Sequence, residues 1–253
     1  MKTITHNLPK CEDCAIRKMA LFGELETKYL DKARALRSCQ MTFQPDEYLY
    51  REGDAPNTAM TIHDGWVILF KDLEGGKRQI LRFALAGDLL SYKTGNNDII
   101  DHSAIAVTEV TVCAFPIQGF KDTIAELPEL FFAINSITEI LSARCLSTMT
   151  TIANYNAETN VAYLLLSLYI RGSAHCDTLN QDKMDGILFP FTQEDIGDAL
   201  GLTAIHVNRV FQKLRKQDLI ECNNKNLRIA DEEKLAGVAQ ADLGELKRLL
   251  VAI

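Results

Sequence analysis

Arginine and asparagine are suited to reading the edge of a base pair, because each can place two hydrogen-bonding groups on one base. Asn208 and Arg209 stand together in Thr203-Ala204-Ile205-His206-Val207-Asn208-Arg209. From Ile205 to Arg228, six basic residues (Arg209, Lys213, Arg215, Lys216, Lys225, Arg228) face only Asp218 and Glu221, a local charge of +4. Such a stretch neutralises phosphates, while the side chains at the start of its helix meet the bases. The outward positions are Ala204, Ile205, His206, Asn208 and Arg209, with Lys213, Arg215 and Lys216 continuing the basic side. A second chemistry resides in Cys11-Glu12-Asp13-Cys14, a spacing suited to holding a metal or to thiol–disulfide exchange.

The elements that must position the first group are legible. Thr192 precedes Gln193-Glu194-Asp195, an N-cap with acids in the first turn. Ile196, Ala199 and Leu200 form an apolar stripe, and Gly201 ends the helix where a left-handed cap is required. Thr203 caps a second helix that buries Val207, Val210, Phe211 and Leu214. Two short helices joined by a glycine turn make a helix-turn-helix. Leu219-Ile220-Glu221 and Leu227-Arg228-Ile229, about Asn223-Asn224-Lys225-Asn226, read as a two-stranded wing. Thr192, Gln193 and Thr203, at the helix starts, join the candidate contacts.

Upstream the texture changes. Residues 15–38 read as a helix. From about 40 to 117, short apolar runs alternate with turn signals such as Glu52-Gly53-Asp54, Asp64-Gly65 and Ala86-Gly87-Asp88, which predicts an antiparallel β sandwich or barrel. Leu127-Pro128-Glu129 opens a long helix with Ile134, Ile137, Leu141, Cys145, Thr148 and Ile152 at steps of three and four. That face either packs on its own β domain or pairs with a copy of itself. A very apolar helix follows over 158–171, then a polar stretch, Gly172–Gly186, expected to be a loop. Residues 231–253 read as a helical tail.

The chain has 253 residues, is 47% hydrophobic and carries a net charge of −7. These are the proportions of a globular protein of one or two domains, and the acidic total excludes a uniformly basic polyanion binder. No apolar run approaches the ~18 residues of a membrane span, and Met1–Lys10 has no secretion signal, so neither a membrane partner nor export is expected. Seven scattered cysteines, an odd number, fit reduced cytoplasmic thiols. There is no phosphate loop, no Gly-x-Ser-x-Gly and no His-Glu-x-x-His, so the chain is not read as an enzyme.

Over nearly its whole length the chain resembles the Crp–Fnr superfamily of bacterial transcription regulators. The resemblance rests on Tyr50-Arg51-Glu52-Gly53-Asp54, Gly65, Gly75-Gly76 and Ala86-Gly87-Asp88, on the long helix, and on Asn156-Ala157-Glu158. It continues through Thr192-Gln193-Glu194-Asp195-Ile196-Gly197, Gly201-Leu202-Thr203, Val207-Asn208-Arg209 and Lys213-Leu214-Arg215. It implies an α+β protein. A cyclic-nucleotide-binding-like β-roll would occupy 1–126, a dimerisation helix 127–156, and a winged helix-turn-helix with its tail 157–253. It further implies a homodimer on a near-palindromic duplex site, with RNA polymerase as an expected further partner whose contact patch no motif locates.

The sequence departs from the family pattern in three places. Where members carry a glutamate that reads cytosine, this chain has Ile205. Where the cyclic-nucleotide branch places a phosphate-binding arginine, the stretch from Gly87 to Val112 has none, so a cyclic nucleotide is not expected. Of the four cysteines that hold an iron–sulfur cluster in the oxygen-sensing branch, Cys11, Cys14 and Cys113 match and the remaining position is Ala20. A cluster on those three, thiol redox chemistry at Cys11 and Cys14, and an unidentified ligand all stay open as effectors. The rival functional reading is a protein-interaction scaffold that uses the β-roll without binding DNA.

Overall fold

Every second residue of Val110-Thr111-Val112-Cys113-Ala114 is buried, with Val110, Val112 and Ala114 at 0% exposure. That period of two places one face of a strand on a core. The computed structural model describes residues 3–5, 11, 13–21, 23, 27–92, 99–178 and 186–251. It divides into two compact units, Met1–Leu73 with Ile80–Thr138, and Glu74–Gln79 with Glu139–Ala252.

In the first unit the described elements are β1 (Thr3–Thr5), α1 (Thr27–Leu36), β2 (Cys39–Phe43), β3 (Tyr48–Tyr50), β4 (Thr58–Asp64), β5 (Val67–Asp72), β6 (Arg78–Ala84), β7 (Leu89–Leu90), β8 (Ser103–Ala106), β9 (Val110–Pro116) and α2 (Ile117–Glu126). They build an antiparallel five-stranded sheet, β1-β2-β9-β4-β7, and a four-stranded sheet, β3-β8-β5-β6. The expected all-β module over 40–117 is thus present. The helix expected over 15–38 is not continuous: a 3-10 turn, Ala15–Met19, is followed by α1 from Thr27. Helix α2 is an addition; its Phe120 is fully buried and stacks edge-on with Tyr92 and tilted against Phe115.

Helix α3 (Pro128–Asn154) starts with proline at its first position, where the missing N–H costs nothing. Its 27 residues extend for about 40 Å at ~1.5 Å per residue. Although no uninterrupted apolar run exists, an 18-residue window of α3 has mean hydropathy 1.2, enough by length and composition to cross a membrane. Only 22% of that window is buried. Ile134 and Ile137 turn into the protomer's own core (7% and 8% exposed), whereas Phe131, Phe132, Leu146 and Met149 are 54–67% exposed. Of the positions expected to face a partner, Ile134 and Ile137 are thus buried within the protomer, Cys145 is exposed, and Leu141, Thr148 and Ile152 are half-buried.

The second unit is organised around α4 (Ala157–Thr178), which is buried on most sides and packs against every helix of the unit that follows it. These elements are β10 (Ile187–Leu188), α5 (Gln193–Leu200), α6 (Ala204–Lys216), β11 (Ile220–Asn223), β12 (Asn226–Ile229), α7 (Glu232–Val238) and α8 (Leu243–Val251). Helix α4 continues through Gly172, where a loop was expected. Glycine there serves close packing: a Cβ at position 172 would stand 2.6 Å from Ile187 Cδ1. The tail forms α7 and α8. Arg144 of α3 donates from Nε and Nη2 to the Leu249 and Leu250 carbonyls at 3.0 and 2.8 Å, a cation placed at the negative end of α8.

Candidate nucleic-acid interface

Thr192 and Asp195 close a reciprocal capping box at the start of α5. Thr192 Oγ1 accepts from the Asp195 N–H at 3.1 Å, and the Thr192 N–H donates to Asp195 Oδ2 at 2.8 Å. Thr192 Oγ1 also donates to Asp195 Oδ2. Gly201 ends α5 at φ 68°, the left-handed conformation a side chain resists. Thr203 Oγ1 then accepts from the His206 N–H at 3.2 Å and starts α6, a cap typically worth about 1 kcal/mol. Val207, Val210, Phe211 and Leu214 are buried on one side of α6. The helix-turn-helix is thus built from the signals read in the sequence.

The opposite side of α6 is open. Ala204, Ile205, His206 and Arg209 are exposed, Ile205 at 69%. Arg209 and Lys216 enter no ion pair among the described residues. The other named residues are partly committed. Asn208 is half-buried and its Oδ1 accepts from Gln193 Nε2 at 3.3 Å, which ties α6 to α5. Arg215 Nη2 donates to the Cys222 carbonyl at 2.7 Å and braces the wing. Lys213 Nζ is paired with Glu158 Oε2 at the start of α4.

The wing itself is an antiparallel pair, Ile220↔Ile229 to Asn223↔Asn226, closed by Asn224 and Lys225 at φ 50° and 63°. Two positive-φ residues are what a two-residue hairpin turn of matching twist requires. β10 adds a third strand to β12, which sequence reading did not find in the two residues Ile187-Leu188.

The cysteines expected to hold a cluster do not converge. Among the described residues no three His, Cys, Asp or Glu side chains form a metal-binding group. Cys14 instead meets His63 of β4. Burial works to raise the Cys14 thiol, but the His63 hydrogen bond and charge, with the Arg17 and Ile16 N–H groups, outweigh it and hold the pKa below the ordinary thiol value. The bond to Cys14 in turn holds the His63 imidazole above its usual value, against its burial. Cys113 Sγ accepts from Arg37 Nη1 at 3.8 Å and Gln40 Nε2 at 3.6 Å, and Ala20 is buried. A four-iron cluster calls for converging thiolates, and the described residues around Cys11, Cys14 and Cys113 do not form such a group here.

A cavity of about 330 Å³ lies in the β-roll, lined by Tyr50, Asn57, Thr58, Met60, Ser91 and Asp54 among others, with no Arg or Lys among the described residues of its lining. Tyr50 Oη is 3.0 Å from His102 Nε2, whose Nδ1 is 2.8 Å from Asp101 Oδ1. Burial holds the phenol well above its ordinary value, with Arg82 pulling the other way. Arg82 itself donates to the Leu89 carbonyl at 3.4 Å.

A β-roll, a long helix and a winged helix-turn-helix with an open cationic face together define a sensor-type DNA-binding regulator. Residues 40–126 match the cyclic nucleotide-binding domain family, and residues 160–238 match the Crp-like helix-turn-helix domain family. The nitrogen fixation regulation protein FixK of Bradyrhizobium diazoefficiens is 31% identical over 238 residues, covering 91% of this chain and 94% of that protein. The transcriptional activatory protein AadR of Rhodopseudomonas palustris is 29% identical, covering 92% and 94%. The structure of FixK2 from Bradyrhizobium japonicum superposes with a TM-score of 0.70 at 21% identity, over 80% of this chain and 98% of that one. The chain belongs to the Crp–Fnr superfamily of transcription regulators, in its Fnr-like branch. It is a DNA-binding regulator, and the scaffold alternative falls away.

Proposed function

We propose that the protein is a homodimeric transcription regulator that sets α6 of each protomer into successive major grooves of a near-palindromic site, about one helical turn apart. The observation that carries this reading is the pairing of two open faces. One is the Ile205–Arg209 edge of α6. The other is the apolar stripe of α3, where Leu146 and Met149 are 61% and 60% exposed. Arg209 would read a guanine through two parallel hydrogen bonds, and Ile205 would touch a thymine methyl, replacing the cytosine contact that a glutamate makes. His206 and Lys216 supply further groove and phosphate contacts.

The effector is read from what the first unit offers. Among the described residues the cavity lining bears one carboxylate, Asp54, and no cation, a poor surround for a phosphate. That argues for a ligand other than a cyclic nucleotide, or for none. Selection of bound sequences from a random duplex pool tests the groove assignment. The expected half-site retains one invariant guanine beside a thymine; recovery of a half-site with the cytosine-containing step intact would refute the role of Ile205. Sedimentation of the full chain tests the dimer, with twice the 28.3 kDa chain mass expected at micromolar concentration.

A further inference from the structure

The cations of α6 are not equivalent. Arg209 and Lys216 stand free of ion pairs among the described residues, but Lys213 is held by Glu158. Of the two partners Glu158 is the fixed one. Its side chain is 24% exposed against 56% for Lys213, and Asn156 Oδ1 anchors its turn by accepting the N–H groups of Glu158 and Thr159 at 2.9 and 3.1 Å. The carboxylate also sits in the first turn of α4, where the helix dipole favours a negative charge. Between the start of α4 and the outward side of α6 runs a groove of about 520 Å³, whose walls carry His206, Arg209 and Lys213 and whose one carboxylate is Glu158.

A phosphate strand is attracted to this groove by its cations and meets a resident anion competing for one of them. We propose that Glu158 withholds Lys213 from DNA: while the pair stands, Lys213 neutralises the carboxylate instead of a phosphate, and the protein binds duplex with one counterion fewer than its sequence offers. The inference rests on α6 being the DNA-facing helix. Its consequence is a lowered background affinity for arbitrary duplex, where binding is carried by phosphate contacts alone. Specific binding retains the base contacts of Arg209 and Ile205. Glu158 is therefore a positioning residue, acting on DNA through Lys213 and not by touching a base.

Salt dependence reads this directly, since each neutralised phosphate adds about 0.9 to the slope of log K against log salt. The full chain is titrated against a fluorescent 30-base-pair duplex of arbitrary sequence across a series of potassium chloride concentrations. E158Q is expected to steepen the slope by about 0.9 and to tighten binding about 3- to 10-fold near 0.1 M salt. K213M alone leaves the Glu158 carboxylate bare in the groove and should weaken binding, so the double variant E158Q/K213M, which removes both charges, carries the comparison and keeps the wild-type slope. In the double variant the gain from E158Q disappears. A gain that survives in the double variant would overturn the proposal, because Glu158 would then be repelling phosphates on its own account. So would a slope shallower than wild type in the double variant, which would make Lys213 an ordinary phosphate contact. Wild-type protein that shows no salt-dependent binding to any duplex would bring down the reading of α6 itself, and the proposal with it.

Discussion

Truncating Arg209 separates base reading from phosphate binding. The guanidinium is exposed on α6 and has no ion pair among the described residues, so Arg209→Ala removes no internal partner. Folding stability should change by no more than about 0.5 kcal/mol. The full effect then appears in binding. A bidentate contact to one guanine is worth about 1–3 kcal/mol of discrimination, roughly 5- to 140-fold at a single base pair. Arg209→Lys keeps the charge and loses the planar fork, so it should retain the salt slope of the wild type while losing most of that discrimination. The assay is site selection from a random duplex pool, followed by competition between the selected duplex and its single-base variants at one fixed salt concentration. A loss of the same size on every sequence, with the salt slope reduced by about 0.9, would refute the assignment and make Arg209 a phosphate contact.

Other expectations follow from the same structure. Leu146→Glu with Met149→Glu puts charge on the exposed stripe of α3 and should shift the sedimenting species to a single protomer whose far-UV circular dichroism stays that of the wild type. Gly172→Ala brings a methyl against Ile187 Cδ1, the movable end of a side chain, while removing a glycine from inside a helix, so the two effects offset and stability should change by less than about 1 kcal/mol; with Ile187→Val, which lacks that carbon, the alanine should stabilise the chain in a denaturant titration. Because His63 holds the Cys14 thiol below its ordinary pKa, more of it is thiolate at neutral pH than in a free cysteine. Mass-spectrometric alkylation rates should therefore show Cys14 reacting at a lower pH than a free cysteine in an unstructured peptide. His63→Gln should move the Cys14 profile upward in pH, and an unmoved profile would dissociate the two residues.

What the sequence made legible was local. Thr192, Thr203 and Gly201 act within one turn of themselves, so their types and spacing sufficed to place α5 and α6. The strand pair around Asn224 and Lys225 was legible for the same reason, since the turn conformation is a property of those two residues. Gly172 misled because a helical glycine reads as a break unless its neighbour is known, and Ile187 lies fifteen positions on. Lys213 and Arg215 were expected on DNA, yet their partners are Glu158, 55 residues upstream, and the Cys222 carbonyl across the wing. Asn208 looked outward by helical phase, but Gln193 of α5 claims its side chain. On α3 apolar residues occur around much of the circumference, so periodicity alone did not tell Ile134 and Ile137, which face inward, from Leu146 and Met149, which face out. For the cysteines, spacing matched Cys11 and Cys14, but whether Cys113 joins them depends on the packing around β9, where Arg37 and Gln40 meet its sulfur.

Hydroxyl-radical footprinting of the full chain on a selected duplex tests the central claim most directly. Two recognition helices delivered by one dimer predict two protected backbone patches related by two-fold symmetry, centred about 10–10.5 base pairs apart on one face of the DNA. A single protected patch, or protection without a fixed phase, would contradict the account.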